Sequence, residues 1–445
     1  MRRVVLPGLF LLAIAIPCAR AQEAAPDFEG TWVAENGHRV LQVRGDHVVA
    51  SLQSPLGLLV DESAADRGLV LRLVPGCSDP DVAEVDECSL FTSRFRRLAR
   101  VPDTFRQAVP ADPRSCFDAM AWVVRSECPC LASRGLDWDA IVEPLRAGLS
   151  DTSKDSELFE AMRRALDAIN DIHFGLSGSG DLFWHEMGCK GRTLRSDDEL
   201  ASMRRVADRY AMTRFERRCN GLLQFGRLAN LVGYIRIDSF EHDGAGIDVS
   251  GRADAKETER ARKFVQQLDE SIRELDFVES LVLDLRFNHG GYAETVVDLA
   301  SRFVKPGQPL LTVVRRDASD DPARVVTGPV LAAGLADHPR YLRKLIVLTS
   351  RDTCSAGEIL PLALLGRDPP AIRVGEATAG AFCRVPYLRL PNGWTLGYTD
   401  AAYRSAKGES FEGSGLAPDF EVEVSTGSGK TDAALEKALA LVGER

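Results

Sequence analysis

The sequence predicts an α/β protein in which a small antiparallel β region and a helical region precede a larger region with a mainly parallel sheet. Three patterns predict this class. Short alternating runs fill residues 22–100, amphipathic helical patterns occur in residues 101–200, and strands alternate with helices in residues 201–445. A chain of 445 residues is long enough for two or three such domains.

The first 21 residues have the pattern of a secretory signal peptide. Two arginines precede an apolar stretch over residues 4–16, and Ala19 and Ala21 frame an A-x-A cleavage site. The apolar stretch is shorter than the about 20 residues that a membrane-spanning helix needs. We therefore expect cleavage after Ala21, a periplasmic or secreted mature protein, and no membrane span in it.

The region after the leader reads as a small antiparallel β domain over residues 22–100. Gly and Asp interrupt its alternating runs at short intervals, as in GTWVAEN, HRVLQVRG and HVVASLQ. Residues 101–200 then predict a helical domain, since FDAMAWVV, DWDAIVEPLRAGL and SELFEAMRRALDAI repeat apolar residues at helical spacing. Asp137 and Ser156 are the expected helix starts.

Residues 201–445 predict the main α/β domain. LLQFGRLA, LVGYIRI, SLVLDLR and LIVLT have the composition of strands, and KETERARKFVQQLDESIREL and AETVVDLASRFV have the periodicity of helices. Strand–helix–strand units of this length favour right-handed crossovers and a parallel sheet. The net charge of −10 and the lack of a basic stripe exclude nucleic acid as a partner.

Nine cysteines remain after the expected cleavage, and in an exported protein they predict disulfides. Spacing alone does not fix their connectivity, and an odd number leaves one thiol unpaired or paired with another molecule. The candidate pairs are Cys77–Cys88, Cys189–Cys219 and Cys354–Cys383. We expect no metal site, because Cys128-Pro-Cys130 has no matching second pair of ligands.

One stretch, RDTCSAGEILPLALLG, places Ser355 where a strand meets a helix. A serine there is either a helix N-cap or a catalytic nucleophile, and the neighbouring Cys354 is an alternative nucleophile. The α/β-hydrolase order of Ser, acid and His is excluded, because all seven histidines precede Ser355. A Ser-x-x-Lys motif is excluded as well, because Glu358 stands at the Lys position.

A second stretch, LVLDLRFNHGGY, runs from a buried strand into Gly290 and Gly291. Consecutive glycines allow backbone N–H groups to face a ligand, and such donors can stabilise an oxyanion. The alternative is an ordinary strand-to-helix turn with His289 exposed on it.

Taken together, these motifs resemble peptidase family S41, which includes the C-terminal processing proteases and the tricorn protease core. The resemblance extends from about residue 115 to 425. It rests on motifs in the family's order: FDAMAWVVRSECPCLASRGLDWDAIVEPLR, LDAINDIHFGL, VGYIRIDSF, LVLDLRFNHGG, TSRDTCSAGEI, RVGEATAG and FEGSGLAPDFEVEV. It implies a ClpP/crotonase-like α/β catalytic domain with a helical cap domain and the small N-terminal β domain.

The resemblance also implies roles for individual residues. Ser355 would be the nucleophile, His173 the general base and Glu412 the acid that orients the base. The oxyanion hole would be formed by backbone N–H groups of Gly290, Gly291 and Ala356. No cofactor is implied, and the expected substrate is a peptide or unfolded protein that adds to a sheet edge.

Three positions depart from the family pattern. Ala381 occupies the place of the lysine in processing proteases, so a Ser–Lys dyad is not expected and a tricorn-like Ser-His-Glu triad is. Ile172 stands immediately before the histidine, and Pro361 falls inside the helix after Ser355. Two alternative functions therefore stay open: a non-catalytic ligand- or peptide-binding protein on this fold, and an esterase-type hydrolase with the same triad.

Overall fold

The computed structural model describes most of the chain. The described residues are 4–5, 28–35, 37–44, 47–60, 70–73, 79–87, 91–131, 134–185, 188–189, 192–193, 195–241, 255–317, 325–333, 338–424 and 431–443. Cys77 and Cys88, and nearly all of the predicted leader, lie outside these residues. Within them, no helix is both long and apolar enough to cross a bilayer.

The N-terminal region is an eight-stranded antiparallel sheet. Its strands are β1 (Val4–Val5), β2 (Gly30–Ala34), β3 (Arg39–Arg44), β4 (His47–Ser54), β5 (Gly57–Val60), β6 (Val70–Leu73), β7 (Val82–Glu87) and β8 (Phe91–Arg97). They lie in the order β1-β6-β7-β8-β2-β3-β4-β5. Alternating residues such as Trp32, Leu41 and Phe95 form its core, in keeping with the period of two in the sequence.

The helical region follows a short 3₁₀ turn at Asp103–Arg106. It contains α1 (Pro113–Glu127), α2 (Trp138–Ala147), α3 (Asp155–Asp167) and, after four short strands, α4 (Asp197–Ala207). Asp137 caps α2 as predicted, since its carboxylate accepts a 3.1 Å hydrogen bond from Ala140 N. Helix α3 begins one residue before Ser156. The four strands are β9 (Gly175–Ser177), β10 (Phe183–His185), β11 (Gly188–Cys189) and β12 (Arg192–Thr193).

The C-terminal region contains the remaining strands and helices. They are β13 (Glu216–Arg218), β14 (Leu223–Ala229), β15 (Val232–Ile237), α5 (Ala255–Glu274), β16 (Ser280–Asp284), α6 (Ala293–Ala300), β17 (Pro309–Arg316), β18 (Val325–Leu331), β19 (Lys344–Thr349), α7 (Ala356–Ala363), β20 (Ile372–Gly375), β21 (Cys383–Arg384), β22 (Tyr387–Arg389), β23 (Thr395–Gly397), β24 (Ala401–Ser405), β25 (Phe420–Glu421) and α8 (Ala433–Gly443).

A seven-stranded sheet with the order β13-β14-β15-β16-β19-β20-β25 organises this region. In this sheet the neighbouring strands β15, β16, β19, β20 and β25 run parallel to one another. At the other end of the sheet, β14 pairs antiparallel with both β13 and β15. Both faces of the parallel part are buried: Leu283 packs toward α5, α6 and α7, and Val282 packs toward α8. Burial on both faces explains why these strands are continuous apolar runs.

Two four-stranded sheets complete the fold, and the second of them joins the helical region to the C-terminal region. One has the order β18-β17-β24-β21, and the other has the order β10-β9-β23-β22. The second sheet pairs β9, from the helical half, with β23 near the C terminus. The predicted fold class is confirmed: an α/β domain is combined with a helical region and an N-terminal β sheet.

Candidate active site

Ser355 lies at the turn between β19 and α7, where the carboxyl ends of the parallel strands form one edge of the sheet. Ligands of open α/β sheets bind at this edge. The backbone of Ser355 is strained, with φ 53° and ψ −124°, at the N-cap position of α7. A non-glycine residue in such a conformation costs about 1–3 kcal/mol and often marks a functional position. Ser355 stays partly exposed, whereas Cys354 beside it is only 2% exposed.

The strained turn is held by the neighbouring loop after β16. Asn288 is the main link: its carbonyl accepts a 2.9 Å hydrogen bond from Cys354 N, and its amide donates to Ile237 O at 3.1 Å. Thr353 also donates its hydroxyl to Leu285 O at 2.9 Å. These buried hydrogen bonds connect three adjacent strand ends, so the position of Ser355 is fixed by the sheet itself.

Gly290 and Gly291 lie against the serine turn. A Cβ added to Gly290 would be 2.8 Å from Ser355 Cβ and 3.3 Å from Ala356 N, and one added to Gly291 would be 2.3 Å from Phe240 C. Both glycines have positive φ values, 118° and 129°. Close approach and backbone conformation therefore both require glycine at these positions.

Backbone donors are available at this point. Gly290 N donates to Asn288 Oδ1 at 2.9 Å. Within the described part of the chain, neither Gly291 N nor Ala356 N donates to a protein acceptor. Ala356 is the first residue of α7, where helix N–H groups lack intrahelical partners and the helix dipole favours negative charge.

His173 lies in the loop between α3 and β9, and it reaches the serine from the other half of the chain. Its Nε2 is 3.1 Å from Ser355 Oγ. Its ring is buried, and its Nδ1 is 2.9 Å from Asp171 Oδ1. Asp171 also accepts a 3.0 Å hydrogen bond from His173 N, so one carboxylate fixes both the backbone and the ring of the histidine.

Glu412, which the sequence assigned to this orienting position, does not bond to the imidazole. One of its oxygens accepts a hydrogen bond from Arg134, and the other accepts one from Phe382 N at 2.7 Å. Asp171 stands in its place because the Asp-x-His spacing lets the carboxylate fold back onto the ring. Glu412 instead contacts Arg134, and Arg134 in turn lies next to Asp171.

Arg134 connects the two carboxylates and the histidine loop. Its guanidinium lies 3.3 Å from Asp171 Oδ2 and bonds Glu412. It also donates to the carbonyls of Ile169 and Asn170 at 3.2 and 2.7 Å. One partly buried cation therefore binds both the carboxylates and the loop that carries His173.

The charges of Arg134, Asp171 and His173 determine which groups of this site are ionised. Burial alone would lower the pKa of His173, but the Asp171 carboxylate outweighs it, and the pKa is raised above its usual value. Burial alone would raise the pKa of Asp171, yet the charges of His173 and Arg134 leave it lowered. The pKa of Glu412 is raised, first by burial and then by Asp171. Asp171 is thus the ionised partner of the imidazole.

The two unusual family positions pack against each other. Ile172 contacts an apolar cluster of Cys354, Ala379 and Ala381. Ala381 is fully buried, and its N–H donates to Glu358 at 2.8 Å. Ala381, at the position where the resemblance would place a lysine, is thus part of an apolar contact that joins the histidine loop to the serine turn. Helix α7 contains Pro361 and ends two residues after it.

The structure does not join the predicted cysteine pairs that it describes. Cys354 and Cys383 are not bonded to each other, and the Sγ atom near Cys383 is that of Cys130, at 3.1 Å. Cys219 is a thiol whose Sγ lies 3.2 Å from Gln267 Oε1. The predictions Cys354–Cys383 and Cys189–Cys219 are therefore wrong for this structure, because folding places other groups beside these thiols. Cys77–Cys88 lies outside the described residues.

Replacing Arg134 with glutamine is expected to lower the free energy of unfolding by about 3–5 kcal/mol, because two buried carboxylates lose their shared cation. Urea denaturation followed by circular dichroism measures the change. Arg146 is the matched control, since its ion pair with Asp118 is half exposed and its loss should cost less than about 1 kcal/mol. Equal stability of the Arg134 variant and the wild type would contradict the role given to this cluster.

Comparison with known proteins finds similarity over part of the chain. Residues 231–422 match the model of peptidase family S41. Carboxyl-terminal-processing peptidase 3 of the Arabidopsis thaliana chloroplast is 28% identical over 196 residues, 44% of this chain and 32% of that protein. The carboxyl-terminal-processing protease of Synechocystis sp. is 28% identical over 201 residues, 45% of this chain and 40% of that protein. The chain thus spans about a third of the length of these curated relatives.

Solved structures show the same fold. A protein of Parabacteroides merdae superposes with a TM-score of 0.59 at 22% identity, over 75% of this chain and 98% of that chain. A lipoprotein from Streptococcus agalactiae superposes with a TM-score of 0.50 at 18% identity, over 75% of this chain and 97% of that chain. The chain thus combines this α/β fold with a serine at the sheet edge and a histidine whose Nε2 lies at hydrogen-bond distance from the serine hydroxyl. Over residues 231–422 the chain is similar to peptidase family S41.

Proposed function

We propose that this chain is an exported serine endopeptidase that uses Ser355, His173 and Asp171 to hydrolyse peptide bonds. The observation that supports this most is the continuous set of contacts from Ser355 Oγ to His173 Nε2, at 3.1 Å, and from His173 Nδ1 to Asp171 Oδ1, at 2.9 Å. These are hydrogen-bond distances suited to general-base catalysis. Export rests on the leader pattern of the first 21 residues.

The reaction follows from the positions of these groups. Ser355 Oγ attacks the peptide carbonyl carbon while His173 Nε2 takes its proton, and Asp171 holds the Nδ1–H and stabilises the imidazolium. Ala356 N and Gly291 N donate to the tetrahedral oxyanion, and we favour Gly291 over Gly290 because Gly290 N already donates to Asn288. His173 then protonates the leaving amine, and an acyl-enzyme forms on Ser355. A water molecule next attacks the acyl carbonyl while His173 takes its proton, and Ser355 is released with its proton restored.

The proposed substrate is a peptide or an unfolded protein segment. The Arabidopsis and Synechocystis relatives are named as carboxyl-terminal-processing enzymes, which favours cleavage of polypeptide chains here as well. An extended segment can add to an exposed sheet edge and bring its carbonyl to the serine. The triad assigned here differs from a Ser–Lys dyad, because Ala381 is buried where that lysine would stand.

A fluorophosphonate probe tests the assignment directly. We expect the probe to phosphonylate one residue, Ser355, and peptide mapping by mass spectrometry identifies it. Comparison of a peptide amide with the matching simple ester then separates a peptidase from an esterase. Labelling elsewhere in the chain, or turnover of esters alone, would overturn the proposal.

The acidic limb of the pH profile is expected to lie above the usual pKa of histidine. His173 works as a base only when it is neutral, and its pKa is raised by Asp171 against the effect of burial. Activity should therefore rise with pH through this raised pKa. The logarithm of kcat/KM measured from pH 5 to 9 gives the midpoint; an acidic midpoint below about 6 would contradict the ion pair.

A further inference from the structure

We propose that Cys130 and Cys383 form a disulfide that fastens the helical half of the chain to the half that carries Ser355. Their Sγ atoms are 3.1 Å apart, although the two residues are separated by 253 positions in the sequence. The bond is a modification of the protein and goes beyond the proposed peptidase activity, so its test requires no turnover.

The surroundings of the two sulfurs favour a bond between them. Cys130 and Cys383 are 3% and 4% exposed and lie in one apolar cluster. Cys130 lies in the segment after α1, and Cys383 begins β21, which pairs with β24. Side chains on two separately positioned backbones thus meet in a closed interior, and their contact is shorter than two unbonded sulfur atoms normally make.

A metal ion is a weaker explanation for the same group. The two sulfurs and a Glu412 oxygen lie close enough together to ligate one ion. However, both Glu412 oxygens already accept hydrogen bonds, one of them from the Arg134 cation, which a second cation would displace. Two thiolates on one tetrahedral zinc, each at about 2.3 Å from the metal, lie further apart than these sulfurs do.

The oxidation is an ordinary exchange with a disulfide such as oxidised glutathione. The two thiols lose two protons and two electrons as the Sγ–Sγ bond forms, and the glutathione disulfide takes them up and becomes two thiols. The hydrogen bond with Cys130, and then burial, raise the pKa of Cys383, so little thiolate is present in the folded protein. We therefore expect the bond to form while the chain folds and to resist reductants afterwards.

The bond would act close to the catalytic groups. Cys383 Sγ lies 3.5 Å from Glu412 Oε2, and Glu412 and Asp171 share Arg134. Joining residue 130 to residue 383 thus restrains the segment that leads to Arg134 against the strand beside Glu412. A cross-link in an exported protein persists, because these compartments are oxidising.

The test compares the full chain refolded with a glutathione redox buffer and the same chain refolded with excess dithiothreitol. Both samples are alkylated in denaturant, digested without reduction and mapped by mass spectrometry. We expect a Cys130–Cys383 cross-linked peptide only in the oxidised sample, and a melting temperature that is higher there by about 5 °C or more. Cys383→Ser should abolish both differences, whereas Cys116→Ser, a buried thiol elsewhere, should leave them.

Several outcomes would overturn the proposal. Full alkylation of Cys130 and Cys383 in the oxidised wild type is one, and it does not depend on any variant folding. A Cys128–Cys130 or Cys354–Cys383 cross-link in their place is another. Stoichiometric zinc in the purified protein, lost in Cys383→Ser, would identify the group as a metal site instead.

Discussion

Replacing Ser355 with alanine is expected to lower kcat for a peptide substrate by about 10⁴-fold or more, because loss of a triad nucleophile leaves only binding and oxyanion stabilisation. The Oγ atom is the only part of Ser355 that reaches His173. Alanine keeps the Cβ that packs on Gly290, so the melting temperature should change by less than about 2 °C. Steady-state kinetics and thermal unfolding measure the two quantities.

Ser179 provides the control, since it is an exposed serine whose hydroxyl bonds Asp155 away from the site. Its alanine variant should keep wild-type kinetics and probe labelling. Activity that survives Ser355→Ala and disappears in Cys354→Ala would make the thiol the nucleophile. The burial of Cys354 argues against that result.

Asp171→Asn is expected to reduce kcat by about 10³–10⁴-fold while the protein stays folded, because an amide at this position favours the wrong imidazole tautomer. Nδ1 and the backbone N–H of His173 both donate to the same carboxylate oxygen, Oδ1, so loss of the negative charge weakens both hydrogen bonds. Loss of the charge should also move the acidic limb of the pH profile to lower pH, since Asp171 raises the pKa of His173. Full pH–rate profiles test both effects.

Glu412→Gln is the matched comparison. Glutamine can still accept the Phe382 N–H, and Arg134 keeps Asp171, so we expect a loss of less than about tenfold and little displacement of the acidic limb. Equal losses in the two variants, with the pH profile displaced only by Glu412→Gln, would restore Glu412 to the orienting role. The pH displacement is informative because a purely structural defect would not produce it.

The fold was predictable because its strongest patterns are local. The parallel strands are apolar on both faces and read as unbroken runs, as Leu281, Val282 and Leu283 show. Asp137 marked the start of α2 because a short side chain can cap the helix from a neighbouring position. Strands β21 to β23 of the smaller sheets escaped prediction, since they are only two or three residues long and too short for a period to be recognised.

Only those residues of the candidate site that lie in motifs of the family's order could be predicted from the sequence. Ser355 and His173 are brought together as the resemblance implied, but the partner of the imidazole was assigned from the family pattern and not from local geometry. The Asp-x-His spacing was the available signal for Asp171. No sequence signal pointed to Arg134, because its partners lie far apart along the chain. Cysteine pairing failed for the same reason, since the neighbour of Cys383 lies 253 residues away.

Because β9 pairs with β23, the segment that follows His173 is held by a strand that is synthesised much later. His173 leaves the ribosome well before Thr395–Gly397, the strand that holds the segment after it in place. A nascent chain thus carries His173 while 182 further residues are added before it reaches Ser355, and the partner strand follows later still. The contact between His173 and Ser355 can therefore form only during or after synthesis of the last third of the polypeptide, and any shorter nascent chain lacks the proposed nucleophile.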